Sequence, residues 1–351
     1  MNLYSLDLNG ITDVIETFES VIWNIQFFGK GDLQLKLPGT PKNINLLQTG
    51  TYLVREEDIG NDEFHNVMVI ENRQIDFDAE KGWVLTLTGK GLKNIVSYRI
   101  IWEQMNMTGL VEDGIRQVIT QNIISPADSD RAIDDFILDT PKGYTDEFDV
   151  QLLGENIADW LELIGQTFGI GWDVYIKNGK YVFTIKKGAD RTYDQNVNVP
   201  VVFSPEYDNL ATSTYKYNKG DYKNAALIGG EGEGVSQRLT DVGTATGLDR
   251  FEVYVDGQTV SSNGEIITEE TYIGMLQDYG REELAKTSYV TTVDGTIIPN
   301  VMYTINEDYF LGDLVQIQNV GLSAKSRIIE IIYSEDETGA VIVPTFSDWE
   351  D

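Results

Sequence analysis

The residues that most invite a chemical reading in this 351-residue chain are Ile228-Gly229-Gly230-Glu231-Gly232-Glu233-Gly234. Glycine-rich loops cradle phosphates by presenting backbone N–H groups at a helix N-terminus, usually with a lysine nearby. Here Glu231 and Glu233 would repel a phosphate, no lysine follows, and the flanks at 225–228 and 235–239 read as strands. The expectation is a glycine-rich bend in a strand, allowing a bulge or close backbone approach, rather than a nucleotide site. A second run, Asp128-Ser129-Asp130-Arg131-Ala132-Ile133-Asp134-Asp135, has acids at its first and third positions, as a calcium loop requires. It lacks the glycine at position six, where Ile133 stands, and the glutamate at position twelve, where Asp139 stands. It therefore reads as a solvated acidic loop, with an irregular calcium site as the alternative.

Other chemistries meet composition limits. Cysteine is absent, which removes disulfides, thiolate catalysis and cysteine-based zinc sites. The single histidine, His65, begins a strand-like segment and reads as an ordinary strand-edge residue rather than a general base. Glycoside cleavage needs two carboxylates facing each other across a cleft, and among 57 acids no pattern selects a pair. No catalytic, cofactor-binding or metal-ligating residue is assigned, and no cofactor is expected. The balance of 26 Lys+Arg against 57 Asp+Glu gives a formal charge of −31, which repels phosphate backbones and anionic lipid. Sequence-specific nucleic-acid binding and membrane insertion are thus not expected. Solubility, or a halophile-like or calcium-rich setting, would explain the charge, and so would a conduit wall past which DNA slides. The N-terminus shows neither a basic nor an apolar leader segment, so no signal peptide is expected.

Hydrophobic residues make up 41% and aromatics 11%, with 18 Tyr, 13 Phe and 6 Trp against 8 Pro, a composition that suits strands. Residues 1–97 read as a first β-domain. Val21, Trp23, Ile25 and Phe27 alternate, the turn Gly29-Lys30-Gly31-Asp32 follows, and Leu33, Leu35 and Leu37 alternate again. Further strands are predicted at 52–55, 67–72 and 83–88. Residues 98–200 read as a small α/β domain. Val111, Ile115, Val118 and Ile119 recur at helical spacing after Thr108, a predicted N-cap, and the Asp-rich stretch 125–150 reads as loop. Ile157, Trp160, Leu161, Ile164 and Phe168 form a second helical stripe, closed by Gly169 in a left-handed conformation. Asn178-Gly179 then predicts a type I′ hairpin pairing Ile176 with Tyr181, Val174 with Phe183, and Trp172 with Ile185. Residues 201–351 return to strands around one helix near 268–287, capped by Thr268, with late strands at 314–318, 327–333 and 341–346.

Two stretches look alike in order and spacing. Gly50-Thr51-Tyr52-Leu53-Val54, Val69-Ile70-Glu71 and Trp83-Val84-Leu85 come early. Gly312-Asp313-Leu314-Val315, Ile328-Ile329-Glu330 and Ala340-Val341-Ile342 come late. Either any two antiparallel meanders look this similar, or the chain holds two related barrels.

The run from Tyr222 through Asn224, Gly229, Gly230, Glu231, Gly232, Glu233 and Gly234, followed by Arg238, Gly247, Arg250, Glu252 and Asp256, resembles the signature of siphovirus tail proteins of the ReqiPepy type. Leu87-Thr88-Gly89-Lys90-Gly91-Leu92 and Leu311-Gly312-Asp313-Leu314-Val315 are similar to other segments of those proteins. The similarity covers residues 15–347 and departs at Val235-Ser236-Gln237, one residue longer than expected before the arginine. The resemblance implies a mainly β, α+β hub fold with two tube-like antiparallel β-barrels and α/β elements between them. It implies a homotrimer in the virion tail, assembled in the bacterial cytoplasm, with an acidic lumen for DNA. It implies tail-tube or distal tail, tape-measure, and tip, fibre or lysin proteins as partners. The chain ends at Asp351, so any wall cleavage is expected from a separate polypeptide. A tail-associated cell-wall or glycan hydrolase and a glycan-binding receptor module are the alternatives to this non-enzymatic structural role.

Overall fold

The computed structural model describes residues 1–80, 82–260, 268–287, 290–298 and 301–347. Its contacts divide the chain into two compact units, one formed by 1–213 with 294–351 and the other by 214–293.

In the larger unit the early alternation does what its period dictates. Strands Ser20–Gln26 and Asp32–Pro38 pair antiparallel, with Trp23 opposite Leu33 and Val21 opposite Leu35. Val21, Trp23, Ile25, Phe27, Leu33, Leu35 and Leu37 are all buried on one face. This hairpin lies inside a 12-stranded sheet that draws on both ends of the sequence. Asp32–Pro38 pairs with Gly82–Gly91, while Ser20–Gln26 pairs with Leu322–Asp336, placing Trp23 opposite Tyr333. The chain is mainly β, as its composition indicates. No barrel closes among the described residues: strands expected of a first and of a second barrel share this one sheet.

The two similar stretches form two three-stranded meanders. Tyr52–Arg55 and Gly82–Gly91 flank Met68–Asp78; Leu314–Asn319 and Gly339–Phe346 flank Leu322–Asp336. Their registers coincide at the backbone. Gly50 N–H donates to Ile70 O at 2.7 Å and Ile70 N–H to Thr51 O at 3.0 Å. Gly312 N–H donates to Ile328 O at 2.8 Å and Ile328 N–H to Asp313 O at 3.0 Å. A bulge follows each isoleucine, between Ile70 and Asn72 in one meander and between Ile328 and Glu330 in the other.

Four α-helices are described: α1 (Pro41–Leu46), α2 (Val111–Ile119), α3 (Ile157–Phe168) and α4 (Glu269–Ala285). In α3 the Asn156 side chain accepts the Ala158 and Asp159 amides, and Gly169 ends the helix at φ 64°. The following hairpin, Gly171–Lys177 with Lys180–Lys186, has the predicted register, with Asn178 and Gly179 at φ 50° and 75°. One apolar core joins this hairpin, α2, α3 and residues of the first strands such as Leu6 and Val54.

Two expectations fail in this region. Thr108 caps nothing: it lies in strand Met105–Leu110, its hydroxyl bonded to Asp149 Oδ1 at 3.0 Å, and α2 begins after Leu110. Met105 and Met107 alternate into the core, and that period-2 burial outweighs the capping preference of a threonine. The stretch 125–150 is not all loop. Phe136–Leu138 pairs parallel with Lys180–Lys186, and Glu147–Leu152 pairs with Met105–Leu110.

The smaller unit is a three-stranded sheet with Ala225–Gly229 central, antiparallel to Leu239–Val242 and parallel to Glu252–Asp256. Ala226, Ile228, Val242 and Val255 pack with Tyr272 and Leu276 of α4. Thr268 caps α4 as predicted, its hydroxyl accepting the Thr271 amide at 3.1 Å. The chain enters and leaves this unit along Leu210–Asn218 and Val290–Ile297, which pair with each other.

Candidate functional site

The glycine-glutamate run belongs to the smaller unit. Ala225–Gly229 delivers it, and a turn at Gly234–Ser236 returns the chain to Leu239–Val242, so 235–239 is mostly turn rather than the expected strand. The loop is tied across its base by Gly230 N–H to Arg238 O at 2.8 Å and Arg238 N–H to Glu231 O at 2.9 Å. Tyr272 anchors it from α4: the hydroxyl accepts the Glu231 amide at 2.8 Å and donates to Val260 O at 2.9 Å. A side chain at Gly230 would meet Leu276 Cδ1 at 2.6 Å and the Tyr272 hydroxyl at 2.7 Å, and Gly232 has φ +100°. Glycine here permits close packing against the helix, and the Gly230 and Glu231 amides are used within the fold rather than presented to an anion.

Charge is arranged to match. The Arg238 guanidinium lies 4.6 Å from the centre of the Tyr272 ring, with Glu231 at 3.7 Å and Glu269 at 3.5 Å. These pairs are half-exposed, so they orient the loop more than they stabilise it. Asn224 fastens the other end of the strand, donating to Asp249 O at 2.7 Å and accepting the Phe251 amide at 2.8 Å. Arg250 Nε pairs with Glu252 Oε1 at 2.6 Å, and Nη1 donates to Ala245 O at 3.1 Å. The motif residues thus fall into two clusters at the ends of Ala225–Gly229, while Glu233 and Gly234 are exposed. Tyr272 was not singled out in the sequence, although Tyr272, Leu276 and Gly280 recur every four residues and are the buried residues of α4.

Other candidate groups have structural surroundings. In the Asp-rich loop, Asp128 accepts the Asp130 amide at 3.1 Å and starts a short turn. No three carboxylates or imidazoles converge to hold a metal among the described residues. His65 follows strand Glu63–Phe64, stacks on Tyr175 at 4.6 Å and lies 3.1 Å from Glu63. Glu112 is buried and accepts the amides of Lys142 at 2.6 Å, Gly143 at 2.8 Å and Tyr144 at 2.9 Å. Burial alone would raise its pKa; those three N–H groups hold it below the ordinary carboxylate value. Lys93, also buried, donates to Gln26 O at 2.6 Å and Trp172 O at 3.2 Å, and burial lowers its pKa to about 8.

Solved structures share this fold. The prophage MuSo2 43 kDa tail protein from Shewanella oneidensis is 13% identical with a TM-score of 0.59, over 99% of this chain and 98% of that one. The tail protein from Neisseria meningitidis MC58 is 12% identical, TM-score 0.57, over 100% and 96%. Prophage tail protein gp18 from Listeria monocytogenes EGD-e is 11% identical, TM-score 0.54, over 100% and 96%. At such identities the likeness is one of fold. No curated protein compared with the chain matches it. The model of the family described as Siphovirus ReqiPepy6 Gp37-like protein matches residues 1–347, so the chain belongs to the family that its glycine-glutamate run resembles.

Proposed function

We propose that this protein is a non-enzymatic hub of a phage tail tip, joining the tail tube to distal tip or fibre proteins and lining part of the DNA-ejection channel as a homotrimer. Family membership and the tail proteins that share the fold support a structural tail component. The finer reading is carried by the repeated meander, with its glycine-isoleucine register at Gly50/Ile70 and again at Gly312/Ile328. Two like units per chain, tube-like barrels in this reading, give three chains six similar units around one axis. A sixfold tube could then meet a threefold tip by matched patches.

The repeats differ in one informative way. Beyond its bulge, the middle strand of the second meander is covered by Ser20–Gln26. The corresponding stretch of the first, residues 73–77, pairs on one side only, with Gly82–Gly91, among the described residues. That arm exposes Phe77 (65%) and Trp83 (56%), packed edge to face at 5.2 Å. An open strand edge with exposed aromatics suits a neighbouring copy, which would supply what Ser20–Gln26 supplies to the other repeat. A charge of −31 would leave the enclosed channel non-adhesive to DNA. Light scattering of the purified protein, alone and mixed with its tail-tube and distal tail neighbours, tests this reading. The expected mass is three times that of the chain; a monomer unaffected by either neighbour would contradict it.

A further inference from the structure

One cleft of the larger unit is built around an exposed aromatic. Trp102 is 60% exposed, an unfavourable place for so large an apolar surface. Its position is nonetheless fixed from two sides. Buried Asn122 accepts the Trp102 amide at 3.1 Å and donates to Val118 O at 3.0 Å. Arg131 donates to Ile100 O at 2.9 Å, and its guanidinium lies 4.9 Å from the centre of the Trp102 ring. Asn122 sits in Thr120–Ile124, a π-helical continuation of α2; such widened turns concentrate at functional sites. The cleft holds about 290 Å³ and is lined by Trp102, Glu103, Gln121, Asn122, Asp128 and Arg131 among others.

We propose that this cleft binds a neutral saccharide of one or two rings, with Trp102 as its platform. The volume is at the lower end of the range for small-molecule sites, about 300–1,000 Å³. A flat indole face matches the C–H face of a pyranose ring. Vicinal hydroxyls each need a donor and an acceptor; Arg131 supplies donors, Glu103 and Asp128 acceptors, and the Gln121 amide both. Two carboxylates against one guanidinium disfavour a phosphate. The Arg131 guanidinium beside the indole repels a second cation such as a quaternary ammonium but not a neutral ring. This inference does not depend on the hub reading: a monomer could bind the sugar, and a trimer could fail to.

Calorimetric titration of the whole protein with N-acetylglucosamine, its β-1,4-linked trimer and a panel of neutral hexoses tests it, with inorganic phosphate and choline as competing classes. At least one saccharide binds with a Kd on the order of millimolar or tighter. Trp102→Ala weakens that binding at least about tenfold, as expected for losing an aromatic platform, whereas Trp102→Tyr keeps most of it. Tyr193→Ala, an exposed aromatic outside the cleft, leaves it unchanged, and circular dichroism shows each variant folded. Absence of binding to every saccharide, equal affinity in Trp102→Ala, or tighter binding of phosphate or choline would overturn the proposal.

Discussion

The guanidinium of Arg55 lies 3.7 Å from the centre of the Tyr333 ring, so a strand of the first meander meets a strand of the second through a fully buried charge. Arg55 Nε pairs with Asp58 Oδ2 at 2.5 Å, and Asp58 Oδ1 accepts from Asn66 at 2.7 Å. Nη1 and Nη2 have no hydrogen-bond partner among the described residues, and the Trp23 ring also lies within 5.9 Å of the guanidinium carbon. Breaking such a pair leaves one buried charge uncompensated, so Arg55→Met and Asp58→Asn should each destabilise by about 3–5 kcal/mol. The double variant should lose clearly less than the sum. Urea unfolding of the four proteins checks this; additive losses would mean that the pair is not coupled.

Gly50 and Gly312 are equivalent in backbone register but not in surroundings. Both have positive φ, +85° and +99°. A Cβ on Gly50 meets nothing within 4 Å, whereas one on Gly312 would lie 2.2 Å from the Phe27 ring. Gly50→Ala should therefore cost only the left-handed strain, about 1–2 kcal/mol. Gly312→Ala adds overpacking of about 1–3 kcal/mol. Thermal unfolding should show Gly312→Ala melting distinctly lower than Gly50→Ala.

Local rules made parts of this fold legible. The Asn178-Gly179 hairpin and α3 with its Gly169 stop depend on residues close in sequence, and both appear as predicted. What stayed hidden depends on distant partners. Phe136–Leu138 lies in an acidic stretch and becomes a strand only by pairing with Lys180–Lys186, and strand formation depends on such neighbours more than on local propensity. Glu112 looks like an ordinary first-turn acid, yet it receives the amides of a loop some 30 residues onward. The meanders share few identities, but Ile70 and Ile328 occupy the same place in the ladder. The arrangement of the glycine-glutamate run required Tyr272, 41 residues after Glu231.

Lys93 gives the protein a specific pH response. Its folded pKa of about 8 lies below the ordinary lysine value because burial disfavours the charged amine. Between about pH 8 and 10.4 the unfolded chain holds a proton at this position that the folded chain has released. Lys93 therefore contributes stability that rises with pH across that window. Lys93→Met should remove this component, so the stability difference between wild type and variant shifts in favour of wild type from pH 7.5 to 10.5, about one lysine titration in size. Chemical denaturation at several pH values measures it; a difference independent of pH would contradict the assignment.

Tyr272→Phe keeps the packing of α4 but strands the Glu231 amide and the Val260 carbonyl. Losing both partners should cost about 1–3 kcal/mol within the smaller unit. Hydrogen exchange at the Glu231 amide should accelerate selectively, while amides of the Asn178-Gly179 hairpin in the larger unit stay protected. Uniform acceleration in both units would show that the hydroxyl has no local role.

Electron cryo-microscopy of the assembled protein bears most directly on the proposed hub. Three subunits should ring an open channel, each offering two similar meanders, with the arm bearing Phe77 and Trp83 against the adjacent subunit. Phe77→Glu should leave a folded monomer. A particle without threefold symmetry, a plugged axis, or arms pointing into solvent would contradict the account.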